Sequence, residues 1–502
     1  MVPVLWALGV LAGSAQAELM PANVLVVFNS RNQESLAVQQ AYIAARPGVL
    51  SVDLASDALN IGSVTRAQYL ALIRDPVRNF VNGVTTGIDR SRSIIAIATT
   101  RGLPARILSP AGLGDEFTTQ SAWASVESEL TLLQQDLESA GSPELPNRYN
   151  GFIANPARGL VGMPIDSVPR DNILIQRPFV SILLSDQGDA AWEIPSLTAG
   201  DIYLVCRLDS AAGFSPATTA AVQNIQSLIA RSGALSVDRC GVQALVDEWD
   251  APPPPPVSSG FELDDGAVPP LFIGGSDFEN STGVLRSLGI RTTQDENFNF
   301  VSGPELADQM RPLLVLGTYG TNHNAFGAWG APADGGVNYI QSYSVHPAAI
   351  FVAYESWNGT SIYAPGTSRG GQQQALDFIA RGGSFTIASV MEPFTIAIAR
   401  LETLLPNLLA ANLTFAEAAY AALPTISWQS IPVGDPLARI TLTGGAPLDR
   451  NSDGRIDAED LYSAHAAPQD TDCDGAVTPA DAALVRGTVR RRELGDMFRS
   501  AW

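Results

Sequence analysis

The chain contains no lysine: all thirty basic side chains in its 502 residues are arginine. With Ala, Gly, Pro and Val so common, that choice reads as codon bias rather than chemistry. Against the arginines stand 51 acidic residues, and the resulting net charge of −21 argues against nucleic acid and anionic membranes as partners. Cysteine is also scarce, and three residues are too few for a disulfide scaffold. Cys206 and Cys240 either form one bridge in an oxidising compartment, or Cys206, at the end of an apolar run, is a buried small hydrophobe. Cys473 is expected to be exposed and free. Beyond the N-terminus no apolar run approaches the roughly twenty residues of a transmembrane helix, so no membrane span is expected. HExxH, GxSxG, P-loop and CxxC patterns are all missing.

Residues 2–13 form a short apolar run leading into Ala15-Gln16-Ala17, a small-x-small cleavage pattern without a charged leading region. The expectation is a signal peptide over 1–17 and a mature protein, from about Glu18, that is secreted or otherwise extracytoplasmic, at the cell surface or in the periplasm. With 46% hydrophobic and 16% charged residues, the remainder has the composition of a large folded body.

Along that body, β-branched runs alternate with amphipathic stretches. Residues 23–28, 93–98 and 202–206 read as strands, and 34–45, 122–139 and 218–231 as helices. After five consecutive prolines within 251–264 the alternation resumes through 271–274, 283–288, 313–319, 349–354, 372–380 and 384–388. The fold class implied is α/β with mostly parallel sheets. It comprises an N-terminal subdomain (18–250), a Pro-rich linker or loop (251–264), a C-terminal subdomain (265–443) and a small all-α double-loop module with its tail (444–502).

The densest chemistry lies in that last segment. Two acidic loops start 21 residues apart, and their oxygen side chains fall at calcium-coordinating spacing. In the first, Asp449, Asn451 and Asp453 stand at positions 1, 3 and 5, Gly454 at the turn, the Arg455 carbonyl at 7, Asp457 at 9 and Asp460 at 12. The second places Asp470, Asp472, Asp474, Gly475, the Ala476 carbonyl, Thr478 and Asp481 in the same order. A hard dication takes about six to eight oxygens, and alternate residues of a tight loop aim at one centre. Two Ca2+ ions are therefore expected, with Ile456 and Val477 pairing the loops through an apolar bridge.

Loop plus single helix, duplicated and closed by Asp, resembles a type I dockerin over about residues 448–490. The pairs Ala458-Glu459 and Pro479-Ala480 depart from that family's usual small hydroxyl residues. The resemblance implies a cohesin-like partner for the module; the alternative is docking on its own body.

Functional groups of parallel sheets gather at strand ends. His323 follows the strand over 313–319, and Glu355 and Ser356 follow the one over 349–354. His on one strand end and a nucleophile on the next is a caspase-like layout, here without a thiol. Ser356 with His323 as base, and Glu355 adjacent, is the candidate catalytic set. Arg207 and Asp209 are read as a pair tying a loop to the sheet, or as substrate-binding groups. Asp209 with Glu392 is a remote glycosidase alternative, while His346 and His465 are read as local hydrogen-bonding residues.

The segments at 23–30, 101–104, 207–209, 392–393 and 434–437 together resemble a family of large secreted bacterial proteins of unknown function. The run 427–429 followed by 434–437, with the His323 region, is similar to gingipain-type cysteine peptidases of the caspase fold. That likeness implies a caspase-like second half, but with no Cys between His323 and Cys473 the thiolate mechanism does not transfer. Three readings follow: a secreted calcium-binding protein with a non-catalytic body and a partner-binding tail, a hydrolase acting on peptide or glycan at the strand ends, or a tail that is only a calcium-stabilised cap.

Overall fold

The computed structural model describes residues 19–108, 124–135, 153–159, 183–184, 189–190, 197–212, 219–247, 277–295, 301–319, 339–355, 357–359, 362, 374–391, 393, 397–451, 456–471, 473, 476–487 and 489. The 251–264 run and the expected strand at 271–274 lie outside them.

One ten-stranded sheet organises the body. Its strands are β1 (Val24–Phe28), β2 (Leu50–Asp53), β3 (Ala96–Thr100), β4 (Leu204–Leu208), β5 (Gln243–Asp247), β6 (Arg291–Asp295), β7 (Leu313–Tyr319), β8 (Val345–Tyr354), β9 (Phe385–Ser389) and β10 (Ser430–Val433). Across the sheet they run β6-β5-β7-β8-β9-β10-β4-β3-β1-β2. β9 and β10 pair antiparallel, whereas β1–β3, β3–β4, β5–β7 and β7–β8 are parallel ladders. The expected mixed α/β class with a mostly parallel sheet is the observed one.

Both faces of this sheet are covered, as parallel strands require. In β1, Val24 and Val26 join one apolar cluster and Leu25 and Val27 another, so successive side chains enter cores on opposite faces. Helices α1 (Gln33–Ala45) and α3 (Thr219–Arg231) form as expected. Asn32 starts α1 by accepting the Glu34 and Ser35 N–H groups, leaving Val38 and Tyr42 to bury.

The long helix expected over 122–139 is not formed. Strand Ala124–Ser125 and the short helix α2 (Val126–Leu130) occupy its described part, followed by a turn. Every residue of α2 is buried, including Glu127 and Glu129, so the segment is a plug inside the body rather than a surface amphipathic helix.

The two segments expected as separate subdomains contribute to the same sheet. β5 belongs by number to the N-terminal one, yet pairs only with β6 and β7 from beyond the proline run. β10 joins the halves, meeting β4 at Arg207–Val433. A second, two-stranded parallel sheet pairs Leu235–Asp238 with Ile440–Thr443 and so brings the start of the C-terminal segment back to the body.

Candidate functional site

The C-terminal loops share one hydrogen-bond frame. Asp460, at position 12 of the first loop, accepts the Arg450 N–H at 2.6 Å on one oxygen and the Asp457 N–H at 2.8 Å on the other. Asp481, at position 12 of the second, accepts the corresponding Thr471 and Thr478 N–H groups, the latter at 2.7 Å. Position 9 starts a helix in both copies. Asp457 accepts the Glu459 N–H at 2.8 Å at the head of α8 (Ala458–Ala466), and the Thr478 hydroxyl accepts the Ala480 N–H at 3.1 Å ahead of the second helix. Arg450 spans the pair, donating to Gln469 at 2.6 Å and to the Thr471 hydroxyl.

Asp460 and Asp481 are buried, and Asp449 nearly so. Asp460 Oδ1 also accepts the Asn451 N–H at 3.4 Å, whereas its Oδ2 accepts one N–H and keeps a second lone pair; the oxygen side chains at these positions are the donor type that a hard cation such as calcium takes. Asp453, Arg455, Asp472 and Asp474 lie outside the described residues. Within those described, no three His, Cys, Asp or Glu side chains converge on one point.

The module has its own small core of Leu448, Ile456, Ala464, Val485 and Val489, with Leu461 packed against it. The expected Ile456–Val477 bridge is absent: Ile456 is buried, but Val477 is 57% exposed. Tyr462, at 77%, and Leu484 are also exposed.

A disulfide joins this module to the body, and it corrects the expected cysteine pairing. Cys473 is bonded to Cys240, not free, and Cys206 is the free thiol, buried in β4. The physical cause is the pairing of Leu235–Asp238 with Ile440–Thr443, which brings the turn carrying Cys240 beside the Gly444-Gly445 joint. Both glycines are left-handed (φ +64° and +52°). A Cβ at Gly445 would lie 2.8 Å from the Cys240 Sγ and 3.2 Å from the Cys473 Sγ, so the absence of a side chain lets the chain pass the bridge. Arg239 donates to the Gly444 carbonyl at 2.9 Å, and the Leu448 and Asp449 N–H groups both donate to the Ser287 carbonyl, at 3.0 and 3.3 Å.

At the strand ends the expected constellation is only partly described. His323, Ser356 and Glu392 lie outside the described residues, while Glu355 is buried just past β8. Two buried acids that sequence reasoning missed lie nearby, one at a strand end and one at a helix start. Asp247, last in β5, accepts the Tyr339 hydroxyl at 2.5 Å and the Val301 N–H at 3.0 Å. Burial pushes its carboxyl up to about 8, against the opposing pull of those two donors. Asp277, first in α4 (Asp277–Ser287), accepts the Tyr354 hydroxyl at 2.8 Å and the Leu401 and Glu402 N–H groups at 3.0 and 2.7 Å. Burial raises its pKa too, with Arg400 opposing. The available signal was their place at an apolar run's edge, which acids share with ordinary turn residues.

Arg207 and Asp209 do form a pair, and it is buried. Arg207 donates to Asp209 at 2.9 Å, to Glu127 at 2.7 Å and to the Leu103 carbonyl at 2.6 Å, while Arg101 reaches Asp209 at 2.9 Å. Arg207 and Asp209 are essentially inaccessible to solvent. They tie the β3 and β4 ends to α2, and their carboxylate is committed to arginine rather than offered to substrate. His346 accepts the Ala348 N–H at 3.1 Å, a local contact as expected, whereas His465 meets Arg486 at 3.3 Å, 21 residues on in the second helix of the module.

No family model matches the chain, and no curated protein sequence matches it. Among solved structures it is similar to a complex of the Porphyromonas gingivalis RgpB pro- and mature domains. There, 11% identity spans 83% of this chain and 79% of that one, with a TM-score of 0.39. A structure described as a protease matches at 10% identity over 84% and 79%, with a TM-score of 0.32. At that distance neither likeness assigns chemistry, and the architecture rests on the sheet's own topology.

Proposed function

We propose that this is an extracytoplasmic protein whose C-terminal module binds two calcium ions and acts as a cap locked on a large α/β body. The calcium reading is carried by one observation: Asp460 and Asp481, each closing a twelve-residue acidic loop, are buried in the same frame of N–H groups from loop positions 2 and 9. Asp449, Asn451, Asp453, the Arg455 carbonyl, Asp457 and Asp460 would hold one ion. Asp470, Asp472, Asp474, the Ala476 carbonyl, Thr478 and Asp481 would hold the other. The bridge to Cys240 and the hydrogen bonds to Ser287 favour a cap over a freely swinging tail, and a structural disulfide suits an oxidising compartment.

The body is read as non-catalytic in the thiol-peptidase sense. Cys206 is buried with its thiol pushed up by burial, and the other two cysteines are bonded to each other.

Calorimetric titration of the metal-free mature chain with calcium tests the reading. Two sites, both lost in Asp449→Ala/Asp470→Ala, and a raised melting temperature of the body are expected. No heat and no stabilisation at millimolar calcium overturn it.

Exposed Tyr462 and Val477 favour a second reading, in which the same module also docks a cohesin-like protein. Titration with a type I cohesin in calcium checks this, and absence of binding removes it.

A further inference from the structure

Each acidic loop is tied to the body near its start. The first is held where the Leu448 and Asp449 N–H groups share the Ser287 carbonyl. The second is held covalently, because Cys473 stands three residues after Asp470 and its Sγ is bonded to Cys240, 233 residues earlier in the chain. Cys473 has φ +61°, a left-handed conformation that non-glycine residues seldom adopt. Its neighbours in sequence, Asp472 and Asp474, are the expected ligands at positions 3 and 5. The bridge therefore pins the backbone between two ligand positions, in a conformation that this residue would not otherwise favour. Around it Gly445 leaves no room for slack: a Cβ there would meet both sulfurs and lie 3.6 Å from the Asp470 carbonyl.

We propose that the Cys240–Cys473 disulfide sets the calcium affinity of the second loop, so that reduction by a dithiol loosens that ion and the cap together. The inference rests on the calcium reading above. In the reduction the Sγ–Sγ bond breaks and the dithiol closes to its own disulfide, its two electrons and two protons passing to the Cys240 and Cys473 thiols. A loop tethered between its expected ligands has less freedom to lose on binding, so the bridged form binds more tightly. Linkage is reciprocal: calcium in the second loop must oppose reduction of the bridge by the same factor in equilibrium terms. The first loop is anchored to the body by hydrogen bonds and feels the bridge only indirectly, through Arg450, which donates to Gln469 and to the Thr471 hydroxyl.

Two measurements on the full mature chain test this. Calcium titration of the oxidised protein should show two sites. After reduction by dithiothreitol one of them should weaken by about tenfold while the other changes much less, within the usual range of coupling between sites. Cys240→Ser/Cys473→Ser, titrated with and without the dithiol, should match the reduced form in both conditions. The second measurement reads the same coupling from the other side: at a fixed ratio of reduced to oxidised dithiothreitol, the equilibrium ratio of reduced to bridged chain should fall about tenfold in saturating calcium. Equal affinities in both redox states with a calcium-independent reduction equilibrium overturn the coupling and leave the calcium reading standing. No calcium binding to the oxidised chain overturns both.

Discussion

At the scale of single residues, the acids carry the sharpest consequences. Asp247 holds its proton up to about pH 8 in the folded chain, against an ordinary value of 3.8. Between those values the folded protein keeps a proton that the unfolded chain releases. Its contribution is therefore fully present at low pH and is lost as pH rises, by about 1.4 kcal/mol per pH unit, levelling off above pH 8. Asp247→Asn keeps the shape and removes the titration. Denaturant unfolding at pH 5 and pH 8 should show the variant gaining on the parent at the higher pH, and parallel profiles would sink the assignment. Arg207 makes the opposite case: its charge is buried among Glu127 and Asp209. Arg207→Met should cost about 3–5 kcal/mol in unfolding free energy, because Glu127 and Asp209 would stay buried without their main cation. A loss under 1 kcal/mol would mean that water reaches this network.

At the scale of elements, what the sequence made legible depended on whether local pattern and tertiary environment agreed. The apolar stretches that became β1, β3, β4, β7, β8 and β9 were readable, since a strand covered on both faces is apolar throughout. β6 was not: Arg291-Thr292-Thr293-Gln294-Asp295 is a polar strand that, among the described residues, stands at the sheet edge beside β5. The helix expected over 122–139 failed for a related reason, because Glu127 and Glu129 mimic a solvent face but are satisfied inside by Arg207, Thr99, Arg66 and Ser427. The two acidic loops were legible as a repeat from spacing alone, and their closing Asp460 and Asp481 sit in the same hydrogen-bond frame. The disulfide was not, since Cys240 and Cys473 meet only once Leu235–Asp238 and Ile440–Thr443 have paired. Asp277 shows the same non-local logic. From the head of α4 it accepts the first N–H groups of α6 (Leu401–Leu405), so one helix caps another far along the chain. Asp277→Ala should cost about 2–4 kcal/mol and should speed amide exchange at Leu401 and Glu402 before the rest of the body. Uniform exchange across the body would show that the contact does not hold α6.

At the scale of the whole molecule, one sheet governs how the chain holds together. A break at the proline run would leave β5 on the N-terminal side with both of its partners, β6 and β7, on the other. β4 would lose β10, and the apolar cluster that runs from Leu19 to Ile440 would be cut through its interior. A lone parallel strand has no local hairpin partner to replace what it loses. A fragment of residues 19–250 is therefore expected to lack a cooperative melting transition, whereas residues 19–443 should melt in a single one, followed by far-UV circular dichroism. Hydrogen exchange gives the finer reading: in the fragment the amides of 243–247 should exchange freely, and those of β1, β3 and β4 should lose most of the protection they have in the longer chain. If the fragment instead melts cooperatively with β1, β3 and β4 protected as in the longer chain, the two halves are independent folding units and the continuous sheet is only their point of contact.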